Sequence, residues 1–241
     1  MILRLEFSKL RRTGYVPAFL AGGLLASAFP IANMAFRQEM YLHLPQDPLT
    51  ILTDANWQMM AMLNILLAVC GACIMYHTEY ANNGVQKMNV LPVRPETIFL
   101  GKCITAFIFS AVMILLETAA FTGCALYWFP GYEPDFTKLA GYAGFAFLMM
   151  LPTILLMLLI ASACQNMWLS LGIGVVLVFL CSILPQDNSI LPLCPFSSPY
   201  QTLPSVQEKG KTIWFLTACG IETLFLGTIA LILQRIRRYF S

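Results

Sequence analysis

Six stretches of this sequence are each long enough, and apolar enough, to cross a lipid bilayer as a helix: 15–36, 57–77, 103–129, 139–164, 167–185 and 213–233. A hydrocarbon core about 30 Å thick needs roughly 20 apolar residues, because each residue of helix rises about 1.5 Å. Only helices or closed barrels satisfy their backbone polar groups there, and runs of this length are helical. The fourth and fifth runs are separated by only Gln165 and Asn166, which implies a tight hairpin. Charge is correspondingly scarce, at 11% of residues against about 25% in soluble domains.

Lys and Arg placement sets the orientation, since basic loops stay on the cytoplasmic side. With the first residues inside, Arg4, Lys9, Arg11, Arg12, Lys87, Arg94, Lys102, Arg235, Arg237 and Arg238 are cytoplasmic, ten of the 14 basic residues. Arg37, Lys138, Lys209 and Lys211 remain outside. Both termini are therefore expected in the cytoplasm. The basic start precedes a full-length apolar run with no small-x-small exit, which reads as a retained first span and not a cleaved signal.

Three connecting pieces carry information. Residues 1–14 place Leu3, Phe7 and Leu10 at helical spacing among Arg4, Lys9, Arg11 and Arg12, a pattern for a helix lying in the headgroup layer. An ordinary basic flank is the alternative. Residues 78–102 form a long cytoplasmic loop in which Pro92 and Pro95 forbid a continuous helix. The outer stretch 186–212 contains Pro192, Pro195, Pro199 and Pro204 among aliphatic and aromatic residues. It is too apolar for a solvated loop and too broken for a span, so a re-entrant segment buried in protein is expected.

Several chemistries are excluded. Net charge of +2 argues against nucleic acid as a partner. His77-Thr78-Glu79 is not a zinc-protease signature, and the only other histidine is His43. No metal site or catalytic residue is expected. Of the eight cysteines, seven lie in apolar runs and read as packing residues, Cys70 and Cys73 included. Cys194 stands in a loop and gains interest if a second thiol lies near it. Gly210-Lys211-Thr212 and Gly101-Lys102-Cys103 both lack the upstream glycine of a phosphate-binding loop, so this sequence is not expected to hydrolyse ATP.

The segment Glu79…Gly84…Lys87…Leu91-Pro-Val-Arg-Pro-Glu-Thr-Ile-Phe-Leu-Gly-Lys102 resembles the first cytoplasmic loop of ABC-2-type transporter permeases, closest to those of lantibiotic-immunity and bacitracin-type exporters. The resemblance implies an all-α membrane fold of the ABC-2 (type V exporter-like) kind. That fold has six transmembrane helices, an N-terminal amphipathic connecting helix at 1–14 and a re-entrant segment between helices 5 and 6, all in one permease domain over 1–241. It further implies that Glu79, Tyr80, Asn83, Gly84, Lys87 and Met88 couple to a separate ABC ATPase dimer. ATP and Mg would then sit on that partner and no cofactor on this chain. The second permease would be another copy or a paired non-identical one. The implied activity is export or expulsion of a lantibiotic-like peptide across a bacterial cell membrane, giving immunity or resistance. A non-transporting assembly or sensor protein is the alternative.

Glu117 and Glu222 are the two acids within the spans. An ionisable group at that depth faces a cavity or a polar partner. They are candidates, with Asn64, for a substrate pathway; a carboxyl that holds helices together through Asn64 or Thr118 is the other reading.

Overall fold

A computed structural model describes residues 2–11, 13–80, 95–164, 166–184 and 193–240, with side chains placed from Glu6 to Ile236 among them. Nearly all of these are helical. In chain order the helices are α1 (Ile2–Leu10), α2 (Tyr15–Leu42), α3 (Pro48–Tyr80), α4 (Pro95–Trp128), α5 (Phe136–Ala163), α6 (Met167–Ile183), α7 (Leu203–Glu208) and α8 (Thr212–Phe240), with a 3-10 turn at Ser198–Tyr200 before α7. Five of them (α2, α3, α4, α5 and α8) are long and apolar enough to cross a membrane, and α6 is a shorter apolar helix. Its 17 residues span about 25 Å at the usual helical rise.

The helices outrun the apolar stretches. α3 begins nine residues before Trp57, at Pro48, and α4 begins at Pro95 instead of Cys103. Proline suits both starts, since the first helical position needs no N–H donor. Helix therefore occupies both ends of the 78–102 loop, through Tyr80 and again from Pro95. Backbone at Arg37 leaves helical geometry (φ −134°, ψ 26°), just where the first apolar run ends. Asn166 caps α6 by accepting the Trp168 N–H at 2.9 Å.

α3 is the central helix and packs against α2, α4, α5 and α6. Small residues decide two of those approaches. A Cβ on Gly71 would lie 2.6 Å from the Phe19 ring of α2, and one on Gly174 of α6 would lie 2.5 Å from Val69. Either spacing is below any real carbon contact, so these helix pairs close only on glycine. Gly14 supplies the other backbone requirement: its φ of 74° turns the chain from α1 into α2 in a conformation costly for residues with a Cβ. The core is a single large cluster running through α2 to α6, with a smaller one where Phe145, Met149, Val206, Phe215 and Cys219 bring α7 and α8 onto α5. Outside it, Ile213, Ile221, Leu224 and Phe225 of α8 are exposed and apolar.

Residues 193–208 do not hang free. Phe196 is buried, the Trp57 indole N–H donates to the Pro199 carbonyl at 2.9 Å, and Ser198 Oγ donates to the Met149 carbonyl at 3.0 Å. Thr153 Oγ1 donates to the Pro195 carbonyl, and Tyr200 OH reaches the Val178 carbonyl at 3.4 Å. Side chains of α3 and α5, and carbonyls of α5 and α6, thus pair with two carbonyls and two hydroxyls of a proline-broken apolar segment, while the buried Ser197 Oγ has no partner among the described residues. Residues 186–192 of the expected re-entrant segment lie outside the described residues.

Candidate functional site

Four charged side chains converge where α1, the end of α3 and the start of α4 meet. Lys102 of α4 is 1% exposed, which for an ammonium is sustainable only with close anionic partners. It has two. Its Nζ lies 2.7 Å from Oε1 of Glu79, an ion pair without hydrogen-bond alignment, and donates to Oε2 of Glu6 at 3.2 Å. Lys9 completes the group, donating to Glu6 Oε1 at 2.8 Å and standing 3.7 Å from Glu79 Oε1. Two ammoniums and two carboxylates leave the cluster formally neutral. The Tyr76 ring adds a cation–π contact, its centroid 5.2 Å from Lys102 Nζ.

Burial alone would raise the Glu6 pKa, but Lys102 and Lys9 outweigh it and hold the carboxyl below its ordinary value. For Lys9, burial works against the charge, while Glu6 and Glu79 more than compensate and raise its pKa. Both shifts favour the charged forms. The cluster is therefore an ionised clamp joining three elements, and two of them, α3 and α4, end and begin on either side of residues 81–94.

Glu6 and Leu10 of α1 point into the protein, whereas Phe7 is 37% exposed and its ring lies tilted against that of Phe109, at 5.7 Å between centroids. Glu6 was legible in one respect: it is the sole acid in a basic segment, one helical turn before Leu10. Lys102 read from sequence only as a marker of orientation. Of the expected coupling residues, Glu79 belongs to the clamp, and Tyr80 OH donates to the Ser162 carbonyl at 2.6 Å, tying α3 to α5. Asn83, Gly84, Lys87 and Met88 lie outside the described residues.

The intramembrane acids sit apart from the clamp. Glu117 is fully buried and its Oε2 accepts from Asn64 Nδ2 at 2.9 Å, joining α4 to α3. Thr118 spends its hydroxyl on the Ile114 carbonyl of its own helix, so Asn64 is the partner. Glu117 Oε1 and Asn64 Oδ1 have no hydrogen-bond partner among the described residues. Glu222, half-buried on α8, likewise has Oε2 buried without one. The structure thus brings Asn64 and Glu117 together and leaves Glu222 on a separate helix.

At the far end of α3 from the clamp lies a narrow cleft, open on one side to solvent. Trp57, Thr53, Phe121, Tyr142, Gln201 and Leu203 line it, so its walls are largely apolar with a few hydroxyl and amide groups. Thr53 and Glu79 are roughly 40 Å apart along the helix by its rise per residue. Among the described residues no group of three or more potential metal ligands occurs. Cys73 Sγ lies 3.2 Å from Ser170 Oγ while Cys70 faces outward, so that pair forms no joint site.

Comparison with known proteins adds one finding. The family model described as "ABC-2 family transporter protein" matches residues 2–181, from α1 to the last turn of α6. No curated protein matches the chain.

Proposed function

Because the chain belongs to the ABC-2 transporter family, multi-pass membrane components of ABC transporters that pair with an ATPase subunit, we propose that it is a permease subunit moving a lantibiotic-like peptide out of the membrane. In this reading α2 to α6 and α8 are six spans with both termini cytoplasmic. The 81–94 loop docks into an ATPase encoded as a separate chain, and a second permease, identical or paired, completes the channel. ATP binding closes the ATPase dimer and pushes on the loop, and the two permeases rock so that the outer cleft opens.

The observation that carries this proposal is the buried Lys102 held between Glu6 and Glu79. A loop that only connected two spans would have no need of an ionic clamp at its roots. A loop that receives force needs rigid attachment to the helices it moves, and to the interfacial helix beside them. The apolar outer cleft with its Thr, Gln and Tyr edges suits an amphipathic peptide, and the exposed apolar face of α8 suits lipid or a second permease.

Affinity purification from membranes tests the proposal. An ATPase with nucleotide-binding motifs is expected to accompany the chain, and Glu79→Ala is expected to abolish peptide-stimulated ATP hydrolysis while basal hydrolysis by the partner persists. Purification without any ATPase would leave a non-transporting membrane protein as the better description.

A further inference from the structure

The Asn64–Glu117 pair is short of one donor. Asn64 Nδ2 donates to Glu117 Oε2 at 2.9 Å and so joins α3 to α4. The remaining oxygen of each group, Glu117 Oε1 and Asn64 Oδ1, is buried without a hydrogen-bond partner among the described residues. One turn away along the two helices stand Met60, Ala61, Met113, Ile114 and Phe121, all buried and apolar. An ionised carboxyl can only accept hydrogen bonds. As a carboxylate, Glu117 would therefore place a charge and two unpaired acceptors in an apolar surrounding, which is costly without a cation beside it.

No such cation is present. Glu117 makes no ion pair among the described residues. Lys102, the one basic residue of α4, is about 22 Å away along the helix and is held in the clamp with Glu6 and Glu79. On α3, Asp54 lies about 15 Å from Asn64 along the helix and takes Thr202 as its partner. Around α4, Tyr15 of α2 lines a small cavity with Asn64, Tyr142 of α5 lines the outer cleft with Thr118, and Glu222 stands on α8. None of these groups is bonded to Glu117, whose one hydrogen-bond partner among the described residues is Asn64.

We propose that Glu117 is a proton-binding site, holding its proton on Oε1 and donating it to Asn64 Oδ1, so that the carboxyl and the carboxamide form a reciprocal acid–amide pair. A proton on Oε1 turns an unpaired acceptor into a donor, and the carboxamide already bonded to Oε2 carries the matching free acceptor. Both unpartnered oxygens are then satisfied, and no formal charge is left at a depth where an unpaired one is expensive. α3 and α4 are thus joined by two kinds of chemistry: the ionic clamp where they flank residues 81–94, and an uncharged pair about 22 Å further along. The pairing rests on the fold alone and holds whatever the chain transports.

Infrared spectroscopy of the full chain in lipid nanodiscs, with glutamate ¹³C-labelled at its side-chain carboxyl, tests this at about pH 7, where solvated carboxyls are ionised. A carboxylic-acid C=O component that shifts on labelling is expected; it should vanish in E117Q and persist in E222Q. In N64A the same component should move to higher frequency, because its carbonyl loses the Asn64 donor. The thermal midpoint of E117Q should stay within about 2 °C of wild type, since the Gln amide offers a donor and an acceptor in the same places. E117L leaves both polar groups of Asn64 unpaired, and its midpoint should fall by roughly 4–12 °C. Absence of a labelled acid component that E117Q removes would mean that Glu117 is ionised and would overturn the proposal; that comparison uses an isosteric variant and does not depend on the folding of N64A or E117L. A component that does not move in N64A, or an E117Q protein as unstable as E117L, would overturn the pairing with Asn64.

Discussion

Replacing Lys102 with Met should destabilise the protein far more than its loss of packing volume would suggest. Met reproduces the four-atom apolar stem of Lys without its ammonium, so the perturbation is chiefly loss of the charge and its contacts. It leaves two carboxylates, Glu6 and Glu79, each less than a tenth exposed, with only the half-exposed Lys9 between them at 2.8 and 3.7 Å. Removing one partner of a buried ionic group strands the others, at a cost of about 3–5 kcal/mol. At the few degrees per kcal/mol typical of chains this size, the thermal midpoint in detergent should fall by roughly 6–20 °C. The diagnostic comparison is the triple variant Glu6→Gln, Glu79→Gln, Lys102→Met. With the negative charge removed as well, it should recover most of the loss, because an uncharged hydrogen-bonding group costs far less to bury than a stranded carboxylate. Fluorescence-detected size-exclusion after a heating series measures both. A K102M midpoint within 2 °C (roughly 0.5–1 kcal/mol) of wild type, or a triple variant no better than K102M, would refute the clamp as an electrostatic device.

The acid limb of stability follows from Glu6. Its pKa in the folded protein lies below the ordinary 4.5, so its contribution is fully present above that value and is lost as pH falls through the lower, folded one; midpoints measured from pH 7 down to 3 should drop, and Glu6→Gln should flatten the drop. Trp57→Phe removes the indole donor to the buried Pro199 carbonyl and should cost about 1–3 kcal/mol. Limited proteolysis should then cut within 193–208 faster than in wild type, and equal cutting rates would mean that other contacts hold this segment. Glu117→Gln and Glu222→Gln should impair peptide protection at normal expression levels if these acids serve the pathway. Unchanged protection in both, measured as the inhibitory peptide concentration, assigns them to helix pairing through Asn64 and to packing.

Much of this architecture was legible one residue at a time. A helix in lipid must be long, apolar and nearly free of charge, so each run announces itself without reference to any other. The break at Arg37, the cap at Asn166 and the proline starts of α3 and α4 are equally local but carry no apolar signal, so the apolar runs alone begin these two helices late, at Trp57 and Cys103. The loop motif and the family match agree because both are read from chain order. What remained illegible is pairing across distance. Lys102 and Glu6 are 96 residues apart, Asn64 and Glu117 are 53 apart, and Trp57 meets a carbonyl 142 residues away. Charge in a basic loop looks the same in sequence whether it faces water or is buried between two carboxylates. Only the packing of α1 against α4 excludes water from Lys102 and turns a marker of orientation into a clamp. Only the packing of the whole fold buries part of 193–208 against α3, α5 and α6 and gives its proline-broken backbone partners there.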